Sequence, residues 1–396
     1  MNIGIVCHEL PPTPVGGIGT FTVELIRGLT SQGHSVHAVG VDHNIESDVC
    51  EVMSPQWTIH RLAAGQGRTR GYLNRVKLLF FIRKLAAEKQ IDIVEVPDFE
   101  GWCAGWPRLP VPVVVRLHGS TTYFAGEMRV PVSSAMKLAE RLGLQRAEEV
   151  ISASRYTADR TKELFGLPLS PTVIYNCVMP PESGRVKTDY QGHDLVCYTG
   201  TLVQKKGVFS LARAWPLIKA RRPAAKLLMM GKDGRHECRS SMDVIRELAG
   251  SCADSIEMIG HLPKEQMEIL LSTADVAVFP SYSETFALAP MEAMALGVPT
   301  IYSARASGRE LMRHGVDGYL CDPDNIERLA EQVTTLLEDE NKRRQLGAAG
   351  RRRISEDFPY ETGLRQNIET YQRCIREHGS RFSRPEPFRL SIPVSK

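Results

Sequence analysis

Ser281-Tyr-Ser-Glu-Thr-Phe-Ala-Leu-Ala-Pro-Met-Glu-Ala-Met-Ala-Leu-Gly-Val-Pro-Thr300 follows an apolar stretch at 276–279, and together they read as strand, turn, helix and next strand. Pro290 suits the first turn of that helix, where a missing N–H costs nothing. Met291 to Leu296 are good helix formers, and Gly297 followed by Pro299 ends the run. Glu284 falls in the turn before the helix and Glu292 on the helix itself. A helix start exposes unpaired N–H groups and a partial positive charge, which together hold a phosphate. Carboxylates cannot bind that phosphate, but they accept hydrogen bonds from sugar hydroxyls on either side of it. A turn with both features suits a nucleotide sugar. Two glutamates with seven residues between them carry little alone, because a solvated loop and an ordinary helix would show them too. The weight lies in the whole string and in its companions along the chain.

Strand and helix signals alternate on both sides of this stretch. In the first half, strands are expected at 3–7, 35–41, 91–96, 111–117, 151–153 and 172–174. Ile18, Phe21, Leu25, Ile26 and Leu29 fall on one face of a helix that stops at Gly33, and further helices are expected at 73–87 and 136–148. Residues 178–194, with prolines, glycine and mixed charge, read as a linker. The alternation then restarts with strands at 195–198, 227–230, 256–259, 276–279, 300–302 and 319–321 and a helix at 208–220. Strand–helix–strand units of this length imply parallel sheets with right-handed crossovers. The expected architecture is therefore α/β: two facing Rossmann-like, doubly wound domains with a cleft between them. The first would span 1–185 and be joined by the C-terminal helix and tail at 361–396; the second would span 186–360. Within that tail, 380–396 carries three prolines and no periodicity and reads as loosely ordered.

Length agrees, since 396 residues exceed one typical domain and suit two. A net charge of +3 argues against a dedicated nucleic-acid binder. The nine cysteines include no C-x-x-C pair, which favours buried free thiols in a reducing cytosol over a zinc site. The N-terminus lacks the charged and apolar regions of a secretion signal, and no stretch approaches the length of a membrane span. A cytoplasmic protein is expected. Residues 61–89 place Arg61, Arg68, Arg70, Arg75, Lys77, Arg83, Lys84 and Lys89 around Leu73, Val76, Leu79 and Phe80. Such a stretch is either a core-facing helix with a solvated basic side or a surface that rests on anionic lipid, giving peripheral contact at the inner membrane face.

Three further stretches bear on chemistry. Pro14-Val-Gly-Gly-Ile-Gly-Thr-Phe21 opens a helix through Gly16, Gly17 and Gly19. Tyr198-Thr-Gly-Thr-Leu-Val-Gln-Lys-Lys-Gly207 follows the first strand of the second half, and its Lys206 could neutralise a phosphate. Met229-Met-Gly-Lys-Asp-Gly234 turns at a strand end, where ligands of open α/β sheets bind.

With these four stretches in hand, the sequence resembles the retaining glycosyltransferases of family 4, with the GT-B architecture, from the glycine loop at 16–19 to Asp317-Gly-Tyr-Leu320. The resemblance implies a nucleoside-diphosphate-sugar donor and an acceptor that is a small molecule, glycan or lipid-linked hydroxyl; with no Asp-x-Asp pair in a metal-binding context, neither metal nor cofactor is expected. It implies that Glu292 binds the ribose, Glu284 the donor sugar, and the N–H groups of Phe286, Ala287 and Leu288 the sugar or diphosphate. Lys206 would neutralise the diphosphate, His118 would lie near the donor sugar, and Gly16, Gly17 and Gly19 would line the cleft opposite. Gly231 and Lys232 would border the base. Three positions depart from the family's pattern. Thr201 stands where many relatives carry a phosphate-binding arginine, a contact a hydroxyl replaces poorly. Ala287 stands where glycine is common and would be strained at positive φ. Cys177 stands where glycine is usual after Asn176. Two other readings share the architecture: a sugar-nucleotide epimerase, and a non-catalytic partner that binds a nucleotide sugar.

Overall fold

The computed structural model describes residues 1–11, 16–67, 70–190 and 192–382. Its first sheet has eight strands: β1 (Asn2–Val6), β2 (Ser35–Asp42), β3 (Val49–Ser54), β4 (Trp57–Ala63), β5 (Ile93–Pro97), β6 (Val113–Leu117), β7 (Glu149–Ser152) and β8 (Thr172–Val173). They lie in the order β3-β4-β2-β1-β5-β6-β7-β8, all parallel except β3, which pairs antiparallel with β4. Helices α1 (Gly17–Ser31), α2 (Arg70–Ala87), α3 (Thr121–Met128), α4 (Ser134–Arg146) and α5 (Arg155–Phe165) complete this lobe. The second sheet contains β9 (Leu195–Thr199), β10 (Lys226–Met230), β13 (Ile256–Gly260), β14 (Val276–Phe279), β15 (Thr300–Ser303) and β16 (Tyr319–Cys321), in the parallel order β13-β10-β9-β14-β15-β16. A two-stranded ribbon, β11 (Arg235–His236) with β12 (Arg239–Ser240), stands beside it. Around it run α6 (Val208–Arg221), α7 (Ser241–Ala249), α8 (Lys264–Thr273), α9 (Leu288–Ala295), α10 (Gly308–Leu311), α11 (Ile326–Glu338) and α12 (Glu340–Asp357).

Both sheets are doubly wound, and each reverses direction once. The first reverses between β1 and β5, the second between β9 and β14. Crevices open at the carboxyl ends of strands at such points. The loops after β1, β9 and β14 are the ones that carry the glycines, Lys206 and Glu284.

The last helix, α13 (Tyr360–Phe382), leaves the second lobe and packs on α1 and β5 of the first. It does so through a buried ion pair. Arg116 of β6 meets Glu95 of β5 through two bonds, Nε to Oε1 at 2.7 Å and Nη2 to Oε2 at 2.8 Å. Tyr371 donates to Glu95 at 2.6 Å and Asn367 accepts from Arg116 at 2.5 Å, both from α13.

Several expectations are refined. The hairpin β3–β4 and the helices α3 and α5 escape the periodicity reading. Residues 178–190 lie pinned to the second lobe: Lys187 N–H donates to the Leu296 carbonyl at 2.8 Å and Tyr190 OH to Gly297 at 3.0 Å. On α2, Leu78, Ile82 and Leu85 face the core, whereas Tyr72, Leu73 and Phe80 are exposed beside Arg83 and Lys84. Arg68 and Pro14-Val15, like 383–396, lie outside the described residues. All nine cysteines are free, and five of them are buried. No helix among the described residues is long and apolar enough to cross a membrane.

Candidate active site

The turn after β14 carries the centre of the site. Glu284 is largely buried, and its Oε1 accepts from Lys206 Nζ at 2.6 Å and from Ser281 Oγ at 3.0 Å. Lys206 ends a short 3₁₀ turn, and Gly207 follows it at φ +72. A Cβ at position 207 would lie 1.8 Å from the Pro280 carbonyl, so only glycine lets this loop press against the start of the Glu284 turn. The same contact is reinforced by Tyr282 N–H, which donates to the Lys205 carbonyl at 2.7 Å.

Helix α9 begins without a side-chain cap, because Ala287 occupies the N-cap. Its φ of −71 is ordinary extended backbone, so the strain anticipated for alanine there does not arise. Phe286 is buried against Tyr175 and Phe358, and Leu288 packs toward the cores of both lobes. The helix start therefore keeps N–H groups for an anion.

Glu292, in the next turn of α9, has its pKa raised to about 7 by burial, with Lys264 working against the shift and Glu24 and Glu268 adding to it. Lys264, at the start of α8, forms an ion pair with Glu24 of α1 in the other lobe. Burial opposes the Lys264 charge, but Glu24 and Glu292 outweigh it and raise its pKa. A chain of alternating charge, Glu24–Lys264–Glu292, thus crosses the cleft. Neither Glu24 nor Lys264 was singled out by the sequence; a lone acidic residue on an apolar helix face was the available signal.

On the first lobe, Gly16 is the N-cap of α1, and the N–H groups of Gly16 and Gly19 both donate to the Glu9 carboxylate, at 2.9 and 3.2 Å. Gly17 is exposed. His118, just past β6, donates its backbone N–H to Asp98 at 2.9 Å and meets Phe21 edge-on at 5.3 Å. Burial, with Arg116 nearby, lowers the His118 pKa to about 3, so its imidazole is neutral around pH 7. Burial raises Asp98 to about 7. A Cβ on Gly119 would come within 3.0 Å of the Thr285 side chain, which places the His118 loop directly against the Glu284 turn.

Thr201 and Gly231 stand at the sheet edge one loop away. Gly231, at φ +150, packs so closely that a Cβ would lie 2.1 Å from the Gly200 carbonyl, and the Lys232 carbonyl accepts from Leu202 N–H at 2.9 Å. The position taken by Thr201 brings no cation. Lys205 supplies a second one: its Nζ lies 3.7 Å from the centre of the Phe124 ring, and burial, then Lys206, lowers its pKa.

Comparison with known proteins follows the same division into two lobes. Residues 15–180 match the family described as Glycosyltransferase Family 4, and residues 182–353 match Glycosyl transferases group 1. The chain is 26% identical over 421 residues to the glycogen synthase of Mycobacterium tuberculosis, covering 99% of this chain and 98% of that one. Its fold is similar to sucrose-phosphate synthase from Thermosynechococcus elongatus, with a TM-score of 0.78 at 21% identity over 95% of this chain and 99% of that chain. It is also similar to an Anabaena protein in complex with UDP and glucose, with a TM-score of 0.71 at 19% identity over 94% of this chain and 99% of that chain.

Proposed function

We propose that this chain, which belongs to glycosyltransferase family 4 and its group 1 glycosyl transferases and has their two-lobed GT-B architecture, moves a sugar from a nucleoside diphosphate sugar to an acceptor hydroxyl with retention. The observation that carries this reading is the Lys206–Glu284 pair at the start of a helix whose N-cap side chain cannot accept. It sets a cation, a hydroxyl acceptor and N–H donors side by side. Glu284 takes the hydroxyls of the donor sugar and Glu292 those of the ribose. Lys206 and the N–H groups of Phe286, Ala287 and Leu288 stabilise charge as the bond from the anomeric carbon to the diphosphate oxygen breaks. The acceptor oxygen bonds to that carbon on the same face, and its proton passes to the departing phosphate. Gly16, Gly17 and Gly19 line the opposite wall, Thr201, Gly231 and Lys232 border the phosphate and base, and neutral His118 positions the sugar. In this reading protein groups supply the positive charge, and neither metal nor cofactor takes part. Lys205 stands in for the guanidinium that Thr201 lacks.

A pH dependence follows from Glu292. The carboxylate form is the better acceptor for ribose hydroxyls. With a pKa of about 7, its ionised fraction rises from about 0.1 at pH 6 to about 0.9 at pH 8, so donor affinity rises by up to about ten-fold. Glu292→Gln removes that dependence. The test is a panel of UDP-, GDP- and ADP-sugars read by melting shift at both pH values, then by nucleoside diphosphate release with and without acceptors. Release that quickens with an acceptor supports transfer. A rearranged sugar without acceptor supports the epimerase, binding without turnover the non-catalytic partner, and no shift with any donor ends the reading.

The exposed Tyr72, Leu73 and Phe80 beside Arg83 and Lys84 support an acceptor presented at an anionic lipid surface on the cytoplasmic side. Sedimentation with vesicles containing about one-third anionic lipid should carry the protein down at low salt and release it at high salt. Binding that ignores lipid charge removes the membrane from the proposal.

A further inference from the structure

Three successive carbonyls of the turn before α9 are gripped from the opposite lobe. Tyr123 OH, on α3, donates to the Glu284 carbonyl at 3.1 Å. Ser154 Oγ, the N-cap of α5, and Thr157 Oγ1, in its first turn, converge on the Thr285 carbonyl at 2.7 and 3.1 Å. Asn176 Nδ2, after β8, donates to the Phe286 carbonyl at 2.7 Å. All four side chains are buried. The donors come from three separate elements, so this is a contact of lobe on turn and no local feature of either. A reciprocal contact secures it. Glu310 of α10 reaches back from the second lobe to accept from the N–H groups of Arg155 and Tyr156, at 2.9 and 2.7 Å, and from Tyr175 OH at 2.9 Å.

In a planar trans peptide the carbonyl of one residue and the N–H of the next point in opposite directions. Holding the carbonyls of 284, 285 and 286 toward the first lobe therefore turns the N–H groups of Thr285, Phe286 and Ala287 toward the second, where Lys206 meets Glu284. The N–H groups of Thr285 and Phe286 are not paired with any acceptor among the described residues. We infer that Tyr123, Ser154 and Thr157 are positioning residues, which aim the backbone N–H groups of Thr285 and Phe286 at the phosphates of the donor without touching it. Asn176 turns the Ala287 N–H toward the buried Tyr302 hydroxyl. The inference rests on the donor reading above and deepens it. Because the grip forms only with the lobes together, closing the cleft and aiming these donors are a single event.

The variant that tests this is Ser154→Gly/Thr157→Val, which leaves the Thr285 carbonyl without either hydroxyl. Glycine is used because an N-cap tolerates it at a cost of a few tenths of a kcal/mol. Calorimetry on the full chain compares a nucleoside diphosphate with its monophosphate, UDP against UMP, or the GDP or ADP pair if the wild type prefers it. The diphosphate should bind about ten-fold more weakly and the monophosphate should change by less than about two-fold. Ser154→Gly/Thr157→Ser, which restores one hydroxyl, should recover most of the loss, and a melting scan shows that each variant is folded. If the wild type binds the diphosphate and the variant binds it equally well, or loses both ligands alike, the positioning role is wrong and the donor reading stands. If the wild type binds no nucleoside diphosphate at all, the donor reading falls first and takes this inference with it.

Discussion

Arg116→Met should lower the free energy of unfolding by about 3–5 kcal/mol, because it strands a buried carboxylate. Both partners are almost wholly buried, and the guanidinium meets Glu95 bidentately at 2.7 and 2.8 Å. Burial works to raise the Glu95 pKa, but Arg116 outweighs it and holds Glu95 below its usual range. In the wild type that depressed pKa contributes stability above the unfolded pKa, lost only as pH falls through the folded one. In the variant the sign reverses. With the cation gone, burial raises the Glu95 pKa, so the deficit is small at low pH and grows as pH rises through the new value. Urea melts at pH 5.5 and pH 8 should show a wider gap from wild type at pH 8. Glu95→Gln/Arg116→Met should recover part of the loss, since neutral groups leave no stranded charge. A gap that is the same at both pH values would show that packing, and not the pair, is what Arg116 supplies. The variant should also loosen α13, because Asn367 and Tyr371 reach the pair from that helix.

Much of the architecture could be read from periodicity, because buried parallel strands are short continuous apolar runs and the helices between them carry one apolar face. The strand before Glu284, the helix after it and the restart after 194 were legible for that reason. The hairpin β3–β4 was not: its solvent-facing side holds exposed Val49, Val52 and Met53, which blurs the alternation. The Glu95–Arg116 pair left a trace, one acidic and one basic residue inside otherwise apolar strands, but nothing in the sequence says that those strands are neighbours. The site divides in the same way. Glu284 and Glu292 stand in one strand–turn–helix string and Lys206 in a glycine-bearing loop after a strand, so each could be picked out as a candidate from its local setting, with the family resemblance supplying its role. Ser154, Thr157, Asn176, Glu24 and Glu310 act across the cleft, between segments more than a hundred residues apart, and no local pattern encodes such a contact. The expectation of strain at Ala287 failed for a related reason. A positive φ is a property of the turn as folded, and this turn reaches the helix through extended backbone.

Lys206→Met should reduce kcat by about 10²–10³-fold, the usual cost of removing one preorganised group that meets developing charge. Lys206 is partly exposed, and its known partner is the Glu284 carboxylate at 2.6 Å. Two roles are therefore open to it. As a holder of Glu284 it would only fix that carboxylate against the sugar; as an electrophile it would also meet the diphosphate oxygen as the glycosidic bond breaks. A double-mutant cycle separates them. If Lys206 merely holds Glu284, then Glu284→Gln and Glu284→Gln/Lys206→Met should be equally slow, because the held group is already neutral. If it stabilises the leaving group, adding Lys206→Met to Glu284→Gln should still cost at least about ten-fold in kcat. Single-turnover release of nucleoside diphosphate is the readout, because it reports bond cleavage before product release. The proposed chemistry predicts the second result, and the reason is electrostatic. Developing charge sits on the diphosphate, and the neighbouring Lys205 has a pKa that burial already lowers. A Lys206→Met enzyme that keeps kcat within about three-fold of wild type would show that the helix start alone carries that charge.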